Sequence, residues 1–598
     1  MQEKLTEIRK KLSLSQEELA SRLGVSFATV NRWENGKTAI RKSAKEKIDK
    51  LYDEVLHIDE TVDTDMSSQR SKRGVTRSQV LSTQSMEQML WSAACSIRGA
   101  KDAPKFKDYI LPLLFIKRLS DVFDDEVKRV ADGVGSKETA LELIRKDKAL
   151  VRFYIPPSAK WSVVSGEENF KWPKAKRPNS LGEQLTLTMR DIVKANPNHS
   201  LSGVIDIVDY NASLQGEREI SDAALRGVID AFSNPRYRLG LRDVEPDFLG
   251  RAYEYLLRKF AEDSGQSAGE FFTPREVGFV MAKILRPQGG ETAYDFACGS
   301  FGLLVKLQLV LKENDPLNKK PLKLYGQELG RENFALGCMN KVLHDIEGDI
   351  QRGDSMENPK FKTKSGRLKT YDIVIANPMW NQPFDTKIYE NDPWERFENY
   401  GGFTSGKGDW AWVQVAAASL NSKGRAAIVL DTGAVTRGSG SKHDDKEKLI
   451  RKWFVEQDLI EGVILFPENL FYNTTAAGII VFLNKQKSAD KKGKIILLNA
   501  SQEFYKGRPK NHISDESIEK ITQAFIAGKD QEKFVKVITI KDAEKNDYNL
   551  SPSRYISLSD VETYREIPDI LTELKTLHSQ SNRLDKEMNK IISMIELK

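Results

Sequence analysis

The chain has 598 residues, of which 39% are hydrophobic and 30% are charged. It is too long for a single hydrophobic core and too apolar for a disordered protein, so about three to five folded units are expected. The 92 basic residues are nearly balanced by 86 acidic ones, so the net charge of +6 does not by itself indicate a nucleic-acid partner.

Cysteines, histidines and apolar runs exclude further classes of protein. The three cysteines lie far apart, which argues against a disulfide framework or a cysteine-based zinc site. The six histidines lack the H-x-x-x-H spacing of helical zinc hydrolases. The N-terminus is charged where a signal peptide needs an apolar run, and no segment approaches the ~20 apolar residues of a membrane span. These features predict a cytoplasmic protein with no metal site and no membrane contact.

Residues 1–57 show the spacing of short amphipathic helices. Ser15 and Glu18 form a capping box, Gly24 occupies a turn and Gly36 ends the next helix. The segment resembles a phage-repressor helix-turn-helix, which implies DNA binding through a helix in the major groove. The resemblance places the following residues on DNA: Ser26, Phe27, Ala28, Arg32 and Lys37. A protein-interaction module of the same fold is the alternative, because phenylalanine and alanine offer little hydrogen bonding to bases.

Two further segments follow. Residues 58–84 are polar and almost free of large apolar side chains, which is typical of a linker. From residue 85 to about 240, helical periodicity dominates, so a mainly helical domain is expected there.

Residues 241–500 change to short apolar runs separated by helical stretches. Strands alternating with helices are typical of a doubly wound parallel sheet, so an α/β domain of the Rossmann-like class is expected. The predicted strands are residues 292–294, 323–325, 371–376, 426–430, 462–466 and 478–483.

The last region, residues 501–598, returns to helix. Eight residues repeat at the spacing of a coiled-coil seam: Ile570, Leu574, Leu577, Ser581, Leu584, Met588, Ile591 and Ile595. A single helix with such a row needs a partner surface, and we predict a partner-binding, coiled-coil-like tail. The alternative is that the helix packs back on its own chain.

Small and acidic residues follow successive predicted strands. The first strand leads into the loop Asp295-Phe296-Ala297-Cys298-Gly299-Ser300-Phe301-Gly302. Small residues let the backbone approach a ligand at the carboxyl edge of a parallel sheet. Glu328 ends the next strand, Asp354 lies in a turn, and the strand at 371–376 leads into Asn377-Pro378-Met379-Trp380. Together these strand ends predict one binding crevice.

These motifs resemble the modification subunit of type I restriction-modification systems, an S-adenosylmethionine-dependent DNA adenine-N6 methyltransferase. The similarity begins near Met86 and includes Glu270-Phe271-Phe272-Thr273-Pro274-Arg275 and Phe466-Pro467-Glu468-Asn469-Leu470-Phe471-Tyr472. It implies that residues 270–275 and the Asp295–Gly302 loop (Asp295, Ala297, Cys298, Gly299, Ser300, Phe301 and Gly302) hold the methionine part of the cofactor. It implies that Glu328 holds the ribose and Asp354 the adenine.

The resemblance also explains the residue types after the last of these strands. The exocyclic amine of adenine is a poor nucleophile because its lone pair is delocalised into the ring. The Asn377 side-chain oxygen and the Pro378 carbonyl could accept its two hydrogens, which would direct the lone pair at the methyl group. Trp380 would stack on the extruded base. Catalysis is therefore assigned to Asn377, Pro378 and Trp380.

Partners are likewise implied by the family. They are double-stranded DNA, a specificity subunit that reads the sequence, and a restriction subunit, with two modification subunits for each specificity subunit. The N-terminal module lies outside the resemblance to modification subunits. We expect it to bind DNA independently and to be dispensable for methyl transfer.

The sequence departs from the family pattern at a few positions. The usual N-P-P-[FY] has Met379 and Trp380 in its last two places, and Phe301 replaces a glycine of the cofactor loop. A side chain at position 301 could crowd the cofactor and weaken binding.

Two other functions fit parts of the sequence. One is a DNA-binding regulator with a catalytically weak methyltransferase fold. The other is a methyltransferase acting on cytosine N4 or on RNA.

Overall fold

The protein is described by a computed structural model. The residues that it describes are 83–97, 106–197, 201–256 without 202–203, 207, 215–216, 245–247 and 253–254, 273–558 without 405, 442–444, 473 and 508–509, and 567–596, together with isolated positions among the first 48 residues. The chain divides into two compact units, residues 1–78 and 79–598.

Little of the first unit is described. Val30 and Trp33 are helical and buried, and Ile48 is buried as well. These positions agree with an amphipathic helical unit. The residues expected on DNA, Ser26, Phe27, Ala28, Arg32 and Lys37, lie outside the described residues.

The second unit begins with a helical region, as the periodicity predicted. Serine side chains cap three of its helices, Ser136, Ser180 and Ser221 each accepting a hydrogen bond from the backbone N–H three residues on. The helices are α1 (Thr83–Ile97), α2 (Phe106–Val134), α3 (Lys137–Lys146), α4 (Trp161–Ser165), α5 (Leu181–Ala195) and α6 (Asp222–Ser233), and strands β1 (Ser213–Leu214) and β2 (Glu217–Arg218) form a hairpin.

Buried polar side chains of α2 bind the backbone at the end of this helical region, near residue 240. The Asp121 carboxylate accepts hydrogen bonds from Lys117 Nζ and from the Leu239 N–H, each at 2.7 Å. Arg118 is 2% exposed and donates to the backbone carbonyls of Leu239 and Gly240. Burial lowers the pKa of Arg118 to about 10, so its guanidinium stays charged at neutral pH. The end of the helical region is thus fixed to the middle of α2.

A nine-stranded sheet forms the centre of the second unit. In chain order its strands are β3 (Thr292–Asp295), β4 (Lys323–Glu328), β5 (Gly348–Arg352), β6 (Tyr371–Ala376), β9 (Leu420–Asp431), β10 (Ile460–Leu465), β11 (Gly478–Asn484), β12 (Lys494–Asn499) and β13 (Val535–Thr539), with the hairpin strands β7 (Pro383–Phe384) and β8 (Gly406–Lys407) outside it. The spatial order is β5-β4-β3-β6-β9-β11-β10-β12-β13. All the predicted strands are present.

Strand direction follows two patterns. The run from β5 to β9 is parallel throughout. β11 is antiparallel to both of its neighbours, and β13 is antiparallel to β12. The sheet is therefore mostly parallel. The antiparallel direction of β11 was not predicted, and β13 was not predicted as a strand. β13 also places residues beyond the expected boundary at 500 in this sheet.

Helices cover both faces of the sheet. The helices of this part of the chain, those on the sheet and those beyond it, are α7 (Arg275–Leu285), α8 (Gly302–Asn314), α9 (Arg331–Leu343), α10 (Thr386–Tyr389), α11 (Asp409–Ala418), α12 (Lys446–Glu456), α13 (Asp515–Ala527), α14 (Ile540–Lys545), α15 (Pro552–Tyr555) and α16 (Ile567–Glu596). Ile373 and Ile375 of β6 belong to one apolar cluster with α7, α8, α9 and α13, while Val374 and Ala376 belong to another with α11 and α12. This alternation confirms the doubly wound α/β fold.

The strand order reverses between β3 and β6. From β3 the chain continues to β4 and β5 on one side, and then returns to place β6 on the other side. Open α/β sheets bind ligands at the carboxyl ends of strands where the order reverses. The two strands β3 and β6 end at Asp295 and Ala376. The loops that follow these two residues are therefore the expected place for a ligand.

The C-terminal helix α16 is amphipathic and exposes its apolar row. Side chains of Leu574, Leu577, Leu584 and Met588 are each more than half exposed. These four side chains are therefore not covered by the rest of the described chain, contrary to the alternative that the row packs on its own chain. No helix among the described residues is long and apolar enough to cross a membrane.

A buried arginine joins the C-terminal region to the sheet. Arg451 of α12 is fully buried and donates to the backbone carbonyls of Tyr548 at 2.6 Å, Ala434 at 3.0 Å and Arg437 at 2.8 Å. Burial lowers its pKa to about 10, so it remains a cation at neutral pH.

We predict that Arg451→Met lowers the free energy of unfolding by about 2–4 kcal/mol, because the aliphatic shape stays while buried carbonyls lose their donors. Denaturant unfolding of the full chain, followed by circular dichroism, measures this change. The neighbouring Lys452→Met is the control, since that lysine side chain is 44% exposed. It should shift stability by less than ~0.5 kcal/mol. Equal unfolding midpoints for the two variants would contradict the role given to Arg451.

Candidate active site

The loop after β3 is organised by the buried carboxylate of Asp295. This side chain is 1% exposed, and its Oδ1 accepts a hydrogen bond from the Ala297 N–H at 2.9 Å. Burial, together with the charge of Glu328, raises the pKa of Asp295 well above its ordinary range. Burial also raises the pKa of the Cys298 thiol, so that this cysteine is not a reactive thiolate. The loop is thus fixed from within.

Glu328 links this loop to the end of β4. Its carboxylate accepts from the Gly299 N–H at 2.9 Å and from the Gly330 N–H at 2.8 Å. Gly299 has a positive φ of 51°, and a Cβ added there would meet no atom within 4 Å. The backbone of the loop therefore borders open space, as expected for a ligand approaching closely.

The third strand end carries Asp354, whose side chain holds its own turn. Its Oδ1 accepts from the N–H groups of Met356 at 2.7 Å and Glu357 at 3.1 Å. Gln327, which is fully buried, donates to the Gly353 carbonyl at 3.1 Å and accepts from the Lys360 N–H at 2.9 Å. The turn that contains Asp354 is thereby fixed to the end of β4.

Asn377 follows β6 with both ends of its carboxamide engaged. Its Nδ2 donates to Thr273 Oγ1 at 3.0 Å, and its Oδ1 accepts from Trp380 Nε1 at 3.2 Å. An indole N–H can only donate, so this contact determines which end of the amide is oxygen. A carbonyl oxygen has two lone pairs, so Oδ1 can accept a second hydrogen bond while it is held by Trp380.

Trp380 is more enclosed than an open stacking platform would be. It is 9% exposed, and its ring contacts Phe471 edge to face with 4.9 Å between centroids. Both rings fit because residue 478 is glycine: a Cβ there would lie 2.3 Å from Phe471 and 2.9 Å from Trp380. The segment at 466–472, which contributed to the resemblance, thus supports the indole from the side.

The residue after Trp380 fixes the far end of the same loop. The backbone N–H of Asn381 donates to Asp409 at 2.9 Å, and its side chain donates to Asp431 at 2.7 Å. Burial raises the pKa of Asp431, but hydrogen bonds from the Gly433 N–H and from Asn381 outweigh it and hold the pKa below its ordinary range. Asp409 and Asp431 both pair with Arg437. The Asn-Pro-Met-Trp loop is therefore held at both ends.

The loops after β3 and β6 enclose one cleft. It contains about 340 Å³ of empty space, part of it open to solvent. Its lining residues are Thr273, Asp295, Ala297, Cys298, Gly299, Ser300, Gly302, Leu303, Lys306 and Asn377. Thr273 and Asn377, which are 104 residues apart in the sequence, thus meet where the strand order reverses.

Other predicted site residues do not line the cleft. Pro274 precedes α7 as its N-cap residue, and Pro378 is buried. Arg275 pairs with Asp515 at 2.9 Å and lies over the Phe279 ring. Glu270, Phe271 and Phe272 lie outside the described residues.

Phe301 does not fill the cleft. It has a positive φ of 70° and is fully buried in the apolar cluster beneath the loop. A Cβ on Gly326 of β4 would lie 2.7 Å from its ring, so a glycine in the neighbouring strand makes room for it. The expected crowding of the cleft is therefore not seen.

Two lining residues, Leu303 and Lys306, were missed by the sequence analysis. Both belong to α8, whose residues from Gly302 to Leu307 are all buried. A lysine inside a run of Leu and Val was the available signal, because an apolar helix covered on most sides must bury it. Within the described part of the chain, no group of three or more His, Cys, Asp or Glu side chains is placed to hold a metal.

Comparison with known families matches three successive parts of the chain. Residues 244–563 match the N-6 DNA Methylase family, residues 86–232 match the HsdM N-terminal domain, and residues 5–54 match a helix-turn-helix family. These matches agree with the order of regions expected from the sequence.

Individual relatives agree with these families. The type I restriction enzyme MjaVIII methylase subunit of Methanocaldococcus jannaschii is 33% identical, with 79% of this chain and 78% of that protein covered. The MpnII methylase subunit of Mycoplasma pneumoniae is 29% identical, with 79% and 89% covered.

A solved structure is similar over the same region. It is the methyltransferase subunit of a type I restriction-modification system from Streptococcus thermophilus, with a TM-score of 0.61 and 26% identity, covering 79% of this chain and 99% of that one. The chain therefore belongs to the N-6 DNA methylase family, among the methylase subunits of type I restriction enzymes.

Proposed function

We propose that the chain transfers a methyl group from S-adenosylmethionine to N6 of an adenine that has left the DNA duplex. The observation that carries this proposal is the carboxamide of Asn377, fixed by Thr273 and Trp380 at the wall of the cleft. The alternatives, a regulator with a weak methyltransferase fold or a cytosine-N4 enzyme, are not favoured by the family match.

The residues around the cleft fit the proposed cofactor. Open space beside Gly299 suits a ligand that lies against the loop backbone, and Glu328, which contacts this loop from the end of β4, would accept from ribose hydroxyls. Asp354 provides a carboxylate at the next strand end. When bound, S-adenosylmethionine would supply a methyl group on a positively charged sulfur, which needs no metal for its transfer.

Two hydrogen-bond acceptors on the chain would make the adenine amine, which is a poor nucleophile, more reactive. Oδ1 of Asn377 and the carbonyl of Pro378 would each accept one hydrogen of the adenine amine, which favours a nitrogen whose lone pair points out of the ring plane. Proline limits φ and so limits the directions of its carbonyl. Because Asn377 is held before substrate arrives, little reorganisation is needed in the reaction.

The target base must leave the duplex to reach this position, which costs a few kcal/mol. Stacking of the base on an aromatic ring returns ~1–3 kcal/mol, and Trp380 is the proposed ring. The indole would then have two roles, since its N–H also holds Asn377.

Assembly partners are proposed from the family and from the tail. Type I methylase subunits are named as parts of restriction enzymes, so a specificity subunit, a restriction subunit and a second methylase copy are the proposed partners. The exposed apolar row of α16 is the proposed contact for the specificity subunit. The N-terminal helix-turn-helix match supports a separate contact with DNA.

We predict that Asn377→Ala lowers kcat for methyl transfer at least ~100-fold, as removal of a fixed transition-state hydrogen bond does elsewhere. Incorporation of labelled methyl groups into DNA by the complex with the specificity subunit measures this rate. Digestion of the product to nucleosides identifies the methylated base.

Asn377→Asp is the matched variant, because a carboxylate keeps an acceptor but loses the donor to Thr273. It should retain more activity than the alanine variant. Unchanged incorporation by Asn377→Ala would remove the catalytic assignment, and N4-methylcytosine in the digest would replace the substrate.

A second prediction separates the two roles of Trp380. Trp380→Phe keeps a ring for stacking and loses the N–H to Asn377, so kcat should fall about tenfold with little change in KM for DNA. Trp380→Leu should also raise KM. Thr273→Val, which loses the hydroxyl at the other end of the amide, should resemble Trp380→Phe in kcat. A Phe variant with full kcat would show that the indole N–H does not position Asn377.

A third prediction concerns the tail. Leu577→Asp and Leu584→Asp place a charge in the exposed row, where the side chains are 53% and 64% exposed. Binding to the specificity subunit should weaken roughly 100-fold, because a charge would be buried at the interface, while the free chain keeps its melting temperature. Copurification of coexpressed subunits measures assembly. Lys586→Asp, on the same helix outside the row, is the control. Normal assembly of both leucine variants would rule out this surface.

A further inference from the structure

Tyr505 is an aromatic residue that the second unit leaves exposed to solvent. It follows β12 in the chain, and 56% of it is exposed. Among the described residues, no other Phe, Trp or Tyr is exposed to a comparable extent. Aromatic side chains that keep one polar end in water are enriched where a protein binds another molecule. The position of this ring therefore indicates a binding surface, and the proposed chemistry so far does not use it.

The ring is held in place by a short antiparallel pairing. The Tyr505 N–H donates to the His512 carbonyl at 2.9 Å, and the His512 N–H donates to the Tyr505 carbonyl at 3.1 Å. The two rings stack with 5.6 Å between their centroids. A Cβ on Gly507 would lie 2.3 Å from the Lys510 carbonyl oxygen, so glycine is needed for this close approach. We call residues 505–507 and 510–512 the arm. A ring that is fixed in advance costs little further ordering when a partner binds.

One side of the arm is bonded to the segment that supports Trp380. The backbone N–H of Asn511 donates to the Asn469 carbonyl, and its side chain donates to the Glu468 carbonyl, both at 2.9 Å. Phe471, two residues further on, contacts the indole of Trp380. The arm therefore lies next to the segment that packs against the Asn-Pro-Met-Trp loop.

The other side of the arm is bonded to the start of α7. Nδ1 of His512 lies 3.1 Å from the carboxylate of Glu276, in the first turn of that helix. Thr273, which holds the Asn377 carboxamide, precedes α7 by two residues. The ring of Tyr505 and the carboxamide are thus supported by the same two parts of the chain. The arm is therefore at the edge of the sheet that a DNA substrate must approach.

Lys506 adds a positive charge next to the exposed ring. The residue is exposed, and it forms no ion pair with a carboxylate among the described residues. Glu503, the nearest acidic residue along the chain, instead pairs with Lys520 and accepts a hydrogen bond from Ser517. A free cation beside an aromatic ring is the combination that binds nucleic acids, because the charge meets a phosphate and the ring meets a nucleoside.

A protein partner fits this surface less well. The centre of a protein interface is apolar and depleted of charged residues. The exposed residues nearest to Tyr505 along the chain, Gln502 and Lys506, are polar or charged. The exposed apolar row of the second unit is elsewhere, on α16. The chemistry of the arm therefore favours DNA.

We infer that Tyr505 and Lys506 contact the DNA next to the target adenine, the lysine on a phosphate and the tyrosine ring on the adjoining nucleoside. This inference rests on the proposed function and adds to it the face of the protein on which the duplex lies.

The test is binding of target duplex DNA to the complex with the specificity subunit, measured by fluorescence anisotropy at several salt concentrations. Lys506→Ala should weaken binding severalfold and reduce the slope of log K against log salt by about one, because one phosphate contact is lost. Tyr505→Ala should weaken binding about tenfold and leave the slope unchanged, because stacking does not release counterions. Tyr505→Phe keeps the ring and should bind within about twofold of the wild type.

Lys423→Ala is the matched control. This exposed lysine lies in β9 near the residues that pair with the start of β6, at the opposite edge of the sheet from the cleft. Its replacement removes the same charge from the complex and should change neither the affinity nor the salt slope.

The outcomes separate this inference from the proposed function. Wild-type affinity and slope in both Lys506→Ala and Tyr505→Ala would overturn the inference while methyl transfer remains. A Tyr505→Ala chain that no longer copurifies with the specificity subunit, together with an unchanged slope for Lys506→Ala, would assign the arm to a protein contact and overturn it as well. A wild-type complex that transfers no methyl group to adenine would overturn the proposed function, and with it the placement of the arm next to a target base.

Discussion

The chain of hydrogen bonds from Thr273 through Asn377 to Trp380 is the constraint on which the cleft depends. A carboxamide can rotate, and an acceptor that rotates cannot direct a substrate amine. Here each end of the amide has its own partner, and the partners come from separate parts of the chain: Thr273 precedes α7, whereas Trp380 follows β6. The orientation of the Asn377 side chain therefore depends on how α7, β6 and the aromatic pair of Trp380 and Phe471 pack together.

Carboxylates near the cleft hold the backbone of its loops. Asp295 accepts from Ala297, Glu328 from Gly299 and Gly330, and Asp354 from the turn that follows it. A backbone fixed in this way costs no further ordering when a ligand binds, which is the physical content of preorganisation. The same residues that a motif assigns to a ligand thus also set the shape of its site.

The sequence could predict six strands of the nine-stranded sheet, because hydrophobic runs are local signals, but β5, β12 and β13 were not predicted. Of the four strand ends expected to form one crevice, those after β3 and β6 line the cleft, whereas Glu328 and Asp354 are not among its lining residues. The antiparallel direction of β11 was not predicted, because a strand buried on both faces is a continuous apolar run in either direction. The sequence also did not show which way a side chain would point. Phe301 was expected in the cleft but lies in the core. Its backbone has a positive φ, and the glycine at 326 leaves room for its ring beneath the Asp295–Gly302 loop. Lys306 was overlooked although a lysine within an apolar run of its helix was a signal of an unusual buried position.

The length of α16 has a consequence for how the protein is supplied in a cell. Its 30 residues form a rod about 45 Å long with apolar side chains along one side. If α16 docks on the specificity subunit as proposed, such a ridge is an aggregation hazard for any copy made in excess of that subunit. Synthesis of the two polypeptides in step would then limit the time for which the bare helix is exposed.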